Sequence, residues 1–489
     1  MNPETSSKQH QRRWLILAMV GVAQLMVVLD ATIVNIALPS AQQELGFSNG
    51  SRQWVVTAYA LAFGSLLLIG GRMGDYFGRK RVLIGGLVGF ALASAVAGLA
   101  QSFGVLVAAR GLQGVFGALL APSALSILTT TFADPGERGK AFGIYGAIAG
   151  GGGALGLLLG GVLTQYIDWR STMFVNLVIA IPAAAAAVVL LVNERPAVRP
   201  KLDLAGTATA TTGLFALVYG FSNAETHSWG APLTIGSLAA SAVLLVTFVL
   251  LQSRGKHPLL PLRVVLDRDR GGSLLAMAVA GSGMLGVFLF LTYYLQRTLG
   301  FSPVTTGLAF LPMMATIVTA ATLISTRILP RTGPRPLIPT GMVVAGLAMV
   351  LLTRVGVHSA YATHVLPSLI VLGAGIGMVF APAMATATGN VRPEDAGVAS
   401  ALVNTMQQVG GSVGVALLST LSATATTAFV TSHGGPTAGT LAAAAVHGYT
   451  TAFWWAAGIF FLGALPTALL LRSGVQRDAG PQAVPALAH

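Results

Sequence analysis

Two ionisable side chains stand in stretches that otherwise offer only hydrocarbon. Asp30 lies in LDATIVNIALP, residues 29–39, and is the one charge in the run from Trp14 to Leu38. Inserting an Asp at the centre of a membrane helix costs about 3 kcal/mol, and desolvation disfavours its charged form. A carboxylate that faces a water-filled cavity or a partner, and gains and loses a proton there, suits a proton-coupled carrier. A polar link between helices is the structural alternative. No other carboxylate lies deep in an apolar run. The second charge is Arg110, in RGLQGVFGALLAPSA. Arg110, Gln113, Gly114 and Gly117 are spaced i, i+3, i+4, i+7 and share one helix face. From there Arg110 could bond the first apolar helix and modulate Asp30, or snorkel to the nearer interface.

Further chemistry sits in GGRMGDYFGRKRV, residues 70–82. Gly71, Gly74 and Gly78 permit a tight turn, and Asp75 stands among Arg72, Arg79, Lys80 and Arg81. Asp75 could cap the next helix or pair with an Arg of a neighbouring loop, and pairs of that kind can latch one conformational state. In GAIAGGGGALGLLLGGVL, Gly152, Gly156 and Gly160 form a small-residue ridge, with Gly161 beside it, suited to a helix that packs closely or slides. Candidate substrate contacts are Asn35, Gln113, Tyr293, Tyr294 and Gln296, with Asn404, Gln407 and Gln408; core packing explains each equally well. Trp454 and Trp455 look like an interfacial belt. The eight His residues have no metal-ligand spacing, and with no Cys, thiol chemistry and thiolate metal sites are excluded.

The elements that carry these residues follow from composition. The 489-residue chain is 54% hydrophobic and 9% charged, against about 25% charged in soluble domains. Its mean hydropathy is +0.76. Runs long enough to span a bilayer fall at 14–38, 54–71, 82–101, 104–130, 140–165, 172–193, 204–223, 231–252, 272–296, 303–328, 336–355, 364–388, 397–427 and 447–471. An all-α polytopic membrane protein of fourteen helices is expected. The N-terminus reads as a retained span behind a short tail rather than a cleaved signal.

Charge orients the spans. With the N-terminus cytosolic, tails and inward loops hold 23 of the 28 Lys and Arg residues; outward loops hold Arg52, Arg170, Arg297 and Arg354. Such a bias puts both termini in the cytosol of a plasma-membrane protein. It also accounts for the net charge of +13 without nucleic acid, the positive surface facing anionic lipid. The chain repeats itself as well. LGFS at 45–48 recurs at 299–302, Arg72–Gly78 as Arg327–Gly333, and Gly152, Gly153, Gly156 as Gly410, Gly411, Gly414. The offsets, near 254–258 residues, divide the chain into six-helix bundles at 1–203 and 254–489 around a two-helix insert at 204–253. Met284 falls opposite Asp30, so the acid is one-sided. Parallel repeats imply a substrate path between the halves.

Together these stretches resemble the major facilitator superfamily (MFS), specifically its fourteen-span drug:proton antiporters. LDATIVNIALP is similar to that branch's first-span motif. Gly71, Asp75, Gly78, Arg79 and Lys80 match the loop 2–3 motif, with Met73 where Leu is usual. Arg110, Gln113 and Gly114 match the fourth-span motif associated with proton transfer, and WRSTMFVN, 169–176, resembles a further family stretch with Ser171 in place of a Trp. Gly152, Gly156, Gly160 and Gly161 match the fifth-span antiporter motif, but Leu157 replaces its Pro. The resemblance implies two pseudo-symmetric bundles, alternating access, a proton gradient as energy source with no cofactor, and a small amphipathic substrate.

The expected function is therefore proton-coupled export of amphipathic drugs or antibiotics by a monomeric carrier that is not an enzyme. A same-fold transporter of one lipid or secreted metabolite is the alternative. A channel is disfavoured because one acid in one half makes no ring of charge. A membrane enzyme is disfavoured because no catalytic dyad, metal site or phosphate loop is found.

Overall fold

The computed structural model describes residues 3–132, 135–192, 203–255, 258–389, 391, 396–433 and 435–472. Among them no strand occurs. The long helices are α1 (Pro3–Leu45), α2 (Trp54–Phe77), α3 (Arg79–Gly98), α4 (Phe103–Thr131), α5 (Pro135–Tyr166), α6 (Ser171–Leu190), α7 (Leu204–Thr226) and α8 (Pro232–Arg254). They continue with α9 (Arg268–Tyr293), α10 (Pro303–Leu323), α11 (Pro334–Leu352), α12 (Leu366–Thr388), α13 (Ala396–Ser432) and α14 (Ala438–Leu470). Twelve segments among the described residues are long and apolar enough to cross a membrane. That count is two below the fourteen expected. The two others, α2 and α5, are 24 and 32 residues long. The side chain of Leu68 in α2 and several of α5 lie outside the described set, so neither helix offers a long enough window of described residues.

Packing follows the internal repeat. In the first half α1 lies on α5, α2 on α4 and α3 on α6; in the second, α9 lies on α13, α10 on α12 and α11 on α14. The repeated sequence elements take matching backbone conformations. Gly46 and Gly300 of the two LGFS copies have φ of 68° and 69°, and Gly78 and Gly333 have φ of 93° and 73°. This region penalises any residue with a Cβ, so each half reads out the same two turns from the same glycines. Gly78 alone joins α2 to α3, the tight turn expected there. The halves meet where α2 crosses α13 and α5 crosses α10.

Helices α7 and α8 pair with each other, and α7 also lies against α2 and α13. Leu61, Val218 and Ala416 form a small core there, and Thr420 Oγ1 donates to Phe221 O. Helix α8 buries only Thr234, Ser241 and Gln252, leaving Val243, Val246 and Val249 exposed. An apolar helix that stays uncovered in this way suits a lipid-facing position.

Candidate functional site: a buried carboxylate–guanidinium network

Among the described residues, three charged side chains are buried: Asp30, Arg52 and Arg110. Asp30 and Arg110 form a pair at 2.6 Å between Arg110 Nη1 and Asp30 Oδ2. The sequence left Arg110 between bonding to the first helix and snorkelling. The structure takes the first, with both residues 0% exposed.

Each element delivers its group for a local reason. On α4, Gly114 and Gly117 let the helix lie directly on α2. A Cβ at Gly114 would stand 3.0 Å from Phe63 N, and one at Gly117 would stand 2.9 Å from the Phe63 ring. That closeness brings Arg110 Nε to Val55 O at 3.0 Å and its guanidinium to 4.5 Å from the Tyr59 ring. Gln113, one turn on, accepts from Arg110 Nη1 at 2.9 Å and donates to Asp30 Oδ1 at 2.9 Å. Its Nε2 also donates to Ser94 Oγ of α3 at 2.7 Å.

A third donor comes from α6. Asn176 Nδ2 reaches Asp30 Oδ1 at 2.7 Å, while its own Oδ1 is buried without a partner. The start of α6 is anchored two turns earlier. Trp169 Nε1 donates to Glu44 Oε2 at 2.6 Å, and Arg170 pairs with Glu44 Oε1 at 2.7 Å. The stretch WRSTMFVN thus fixes α6 to the end of α1 and sets Asn176 beside the carboxylate. Sequence reasoning quoted that stretch without singling out Asn176, and it missed Ser94; neutral side chains carry little signal in an apolar run.

Asp30 therefore holds α1 to α4 and α6 through three charge-assisted hydrogen bonds, the strong kind. A buried ion pair is sustained only when such bonds satisfy both partners. Adding a proton to Asp30 removes the charge that Arg110 compensates and weakens all three links together.

The other predicted residues fall around this centre. Gly152, Gly156 and Gly160 pack on α1, against Val28, Leu29, Thr32 and Ile33, whereas Gly161 meets Pro303 and Val304 of α10 in the other half. The repeat counterparts of Gly152 and Gly156 behave alike, Gly410 and Gly414 packing on Ala278 and Ser282 of α9. Helix α5 runs through Leu157 with no interior Pro, and a Cβ at Gly307 of α10 would stand 2.5 Å from Leu157 O. Met284, opposite Asp30 in the repeat, is half-buried and packs against a hydrophobic core that residues of both halves share.

In the 70–82 stretch, Gly71 and Gly74 lie beside Pro122 and Ser123 of α4. Lys80 Nζ donates to Val188 O and Leu191 O at the end of α6, and Arg79 stands with Lys80, Arg12 and Arg13 around one cavity. Arg72 is half-buried. The Asp75 side chain lies outside the described residues.

The substrate candidates separate. Tyr294 bonds Gly356 O within its own half at 2.8 Å, and Asn404 Nδ2 bonds Ser400 O on its own helix. Gln407 backs onto Gly281 of α9, and Gln408 Cβ lies against Gly64 of α2. Asn35 donates to Ala31 O and keeps Oδ1 buried without a partner. Tyr293 and Gln296 do reach across the halves: Gln296 Nε2 donates to Ile36 O at 3.0 Å, and Tyr293 stacks under Arg52.

This chain matches known proteins over most of its length. The Major Facilitator Superfamily profile matches residues 20–415. The puromycin resistance protein of Streptomyces alboniger is 50% identical over 464 residues, covering 94% of this chain and 92% of that one. The cephamycin export protein of Amycolatopsis lactamdurans is 39% identical over 413 residues, covering 84% and 85%. Among solved structures, a POT family transporter superposes with a TM-score of 0.70 at 15% identity, covering 94% of this chain and 97% of that one. The relatives and structural neighbours are transporters, not enzymes, and this multi-pass chain belongs to the Major Facilitator Superfamily.

Proposed function

We propose that this transporter is a proton-coupled antiporter that exports amphipathic antibiotics by alternating access. The observation that carries this reading is the closed network around Asp30, a carboxylate deep in the bundle bound to Arg110, Gln113 and Asn176. Protonation of Asp30 neutralises one partner of a buried pair and loosens α1 from α4 and α6. Deprotonation restores the links. A single deep acid implies about one proton per cycle, and exchange for one monovalent cation then moves no net charge.

The proposed frame has fourteen spans with both termini cytosolic, bundles at 1–203 and 254–489, and a two-helix insert at 204–253. Pairing of the repeated glycines and of α1–α5 with α9–α13 supports the two-bundle part. The proton gradient supplies the energy, and no cofactor takes part. Gly71, Arg72, Asp75, Gly78, Arg79 and Lys80 act as the latch between states.

Narrow specificity is the second reading. The two relatives above are each named for one antibiotic, which favours a single secreted or encountered compound over a broad drug range. A panel of efflux assays on cells carrying the wild type or Asp30→Asn tests both readings. Loss of export in Asp30→Asn supports the antiporter; one active compound supports the narrow form and several chemically unrelated ones refute it.

A further inference from the structure

The third buried charge, Arg52, has no carboxylate paired with it among the described residues. It sits in the turn between α1 and α2 and is 6% exposed. Its guanidinium carbon lies 4.0 Å from the centroid of the Tyr293 ring, and 5.8 Å from those of Phe290 and Tyr449. Arg52 Nε is buried with no hydrogen-bond partner, and so is the Tyr293 hydroxyl. A buried cation without a counter-ion is costly, and here aromatic faces take the place of the missing anion.

The box and its occupant belong to different halves. Phe290 and Tyr293 are one turn apart on α9, and Tyr449 comes from α14, whereas Arg52 precedes α2. The same end of the bundle is closed by Gln296 on Ile36 O and by Arg297 Nη2 on Pro39 O at 2.9 Å. Those two contacts join polar side chains to backbone and are indifferent to what occupies the box. Separation of the halves at this end withdraws Arg52 and leaves three rings facing the opening, a recognition surface for an organic cation.

We propose that Phe290, Tyr293 and Tyr449 form a cation site used in turn: by the positively charged group of a substrate when the halves part, and by Arg52 when they close. Arg52 is then a tethered competitor, and its return expels the cation from the box. This rests on the alternating-access reading above, but binding at equilibrium requires neither transport nor a proton gradient.

The test is equilibrium dialysis of tetraphenylphosphonium, a permanent organic cation, against purified full-length protein. Arg52→Gln removes the competitor and should tighten binding about fivefold, whereas Arg52→Lys, which keeps a cation in place, should stay within about twofold of wild type. Adding Tyr293→Leu to Arg52→Gln should cancel the gain, and Tyr293→Phe, which keeps the ring, should preserve it. Unchanged binding in Arg52→Gln, or a gain that survives Tyr293→Leu, overturns the proposal. If Arg52→Gln does not fold, the Tyr293 pair in the otherwise wild-type chain decides it: Leu should weaken binding and Phe should not, and equal affinities contradict the site. Failure here leaves pH-driven transport through Asp30 untouched, so the two proposals fall separately.

Discussion

Arg110 Nη1 donates to Asp30 Oδ2 at 2.6 Å across 80 residues of sequence, with neither side chain open to solvent. Removing one member leaves the other as an uncompensated buried charge, which costs about 3–5 kcal/mol. Arg110→Gln should therefore lower the melting temperature of the purified protein markedly. Combining it with Asp30→Asn should recover most of that loss without restoring pH-driven transport. Additive destabilisation in the double variant would show that the two side chains do not act as a pair.

Asn176 makes a subtler test. Its amide stabilises the charged carboxylate, and a hydrogen bond to a charged group is worth about 1.5–3 kcal/mol. In Asn176→Ala the loss of that bond should lower the melting temperature and slow pH-driven transport, whereas Asn176→Gln, which keeps an amide donor, should retain part of both. Melting temperature and transport rate equal to those of the wild type in Asn176→Ala would remove Asn176 from the coupling centre.

The small-residue ridge predicts a graded stability pattern. A Cβ at Gly156 would stand 3.0 Å from Leu29 O and 3.2 Å from Thr32 Cβ, while one at Gly151 meets nothing within 4 Å. Gly156→Ala should cost about 1–3 kcal/mol by forcing α5 off α1, and Gly151→Ala should be near neutral. Thermal melting of the two variants checks this, and equal melting temperatures would contradict the close α1–α5 packing.

Much of this was legible in the sequence, for reasons tied to particular residues. Asp30 and Arg110 stand out because a charge in an apolar run has no solvent to explain it. The Gly152, Gly156, Gly160 ridge was legible as a packing stripe, but its partner helix was not. Contact between α5 and α1 depends on tertiary register that spacing within one helix does not encode. The pairing of Asp30 with Arg110 was only one of two readings for the same reason. Asn176 and Ser94 stayed invisible because neutral polar residues are common in helices and bond their own backbone. Arg52 counted only as one of the few charges in outward loops, since the rings that enclose it come from helices more than 230 residues away. The count of fourteen spans is not confirmed, since apolarity over the described residues supports twelve.

Orientation is open to a direct check, because the cysteine-free chain gives a clean background. Single cysteines at Ser48 and Gly255 should react with a membrane-impermeant thiol reagent from opposite sides of intact cells, Ser48 from outside. Labelling of both from one side would contradict the proposed topology.

The measurement that bears most directly on the account is transport of a monovalent cationic substrate in proteoliposomes, with the pH gradient and the membrane potential imposed separately. Wild-type protein should respond to the pH gradient and ignore the potential, since one proton exchanged for one such cation moves no net charge. Asp30→Asn should lose the pH-driven component altogether, and Asp30→Glu should retain part of it. Full pH-driven transport by Asp30→Asn would contradict the account and take the proton-carrying role away from the buried carboxylate.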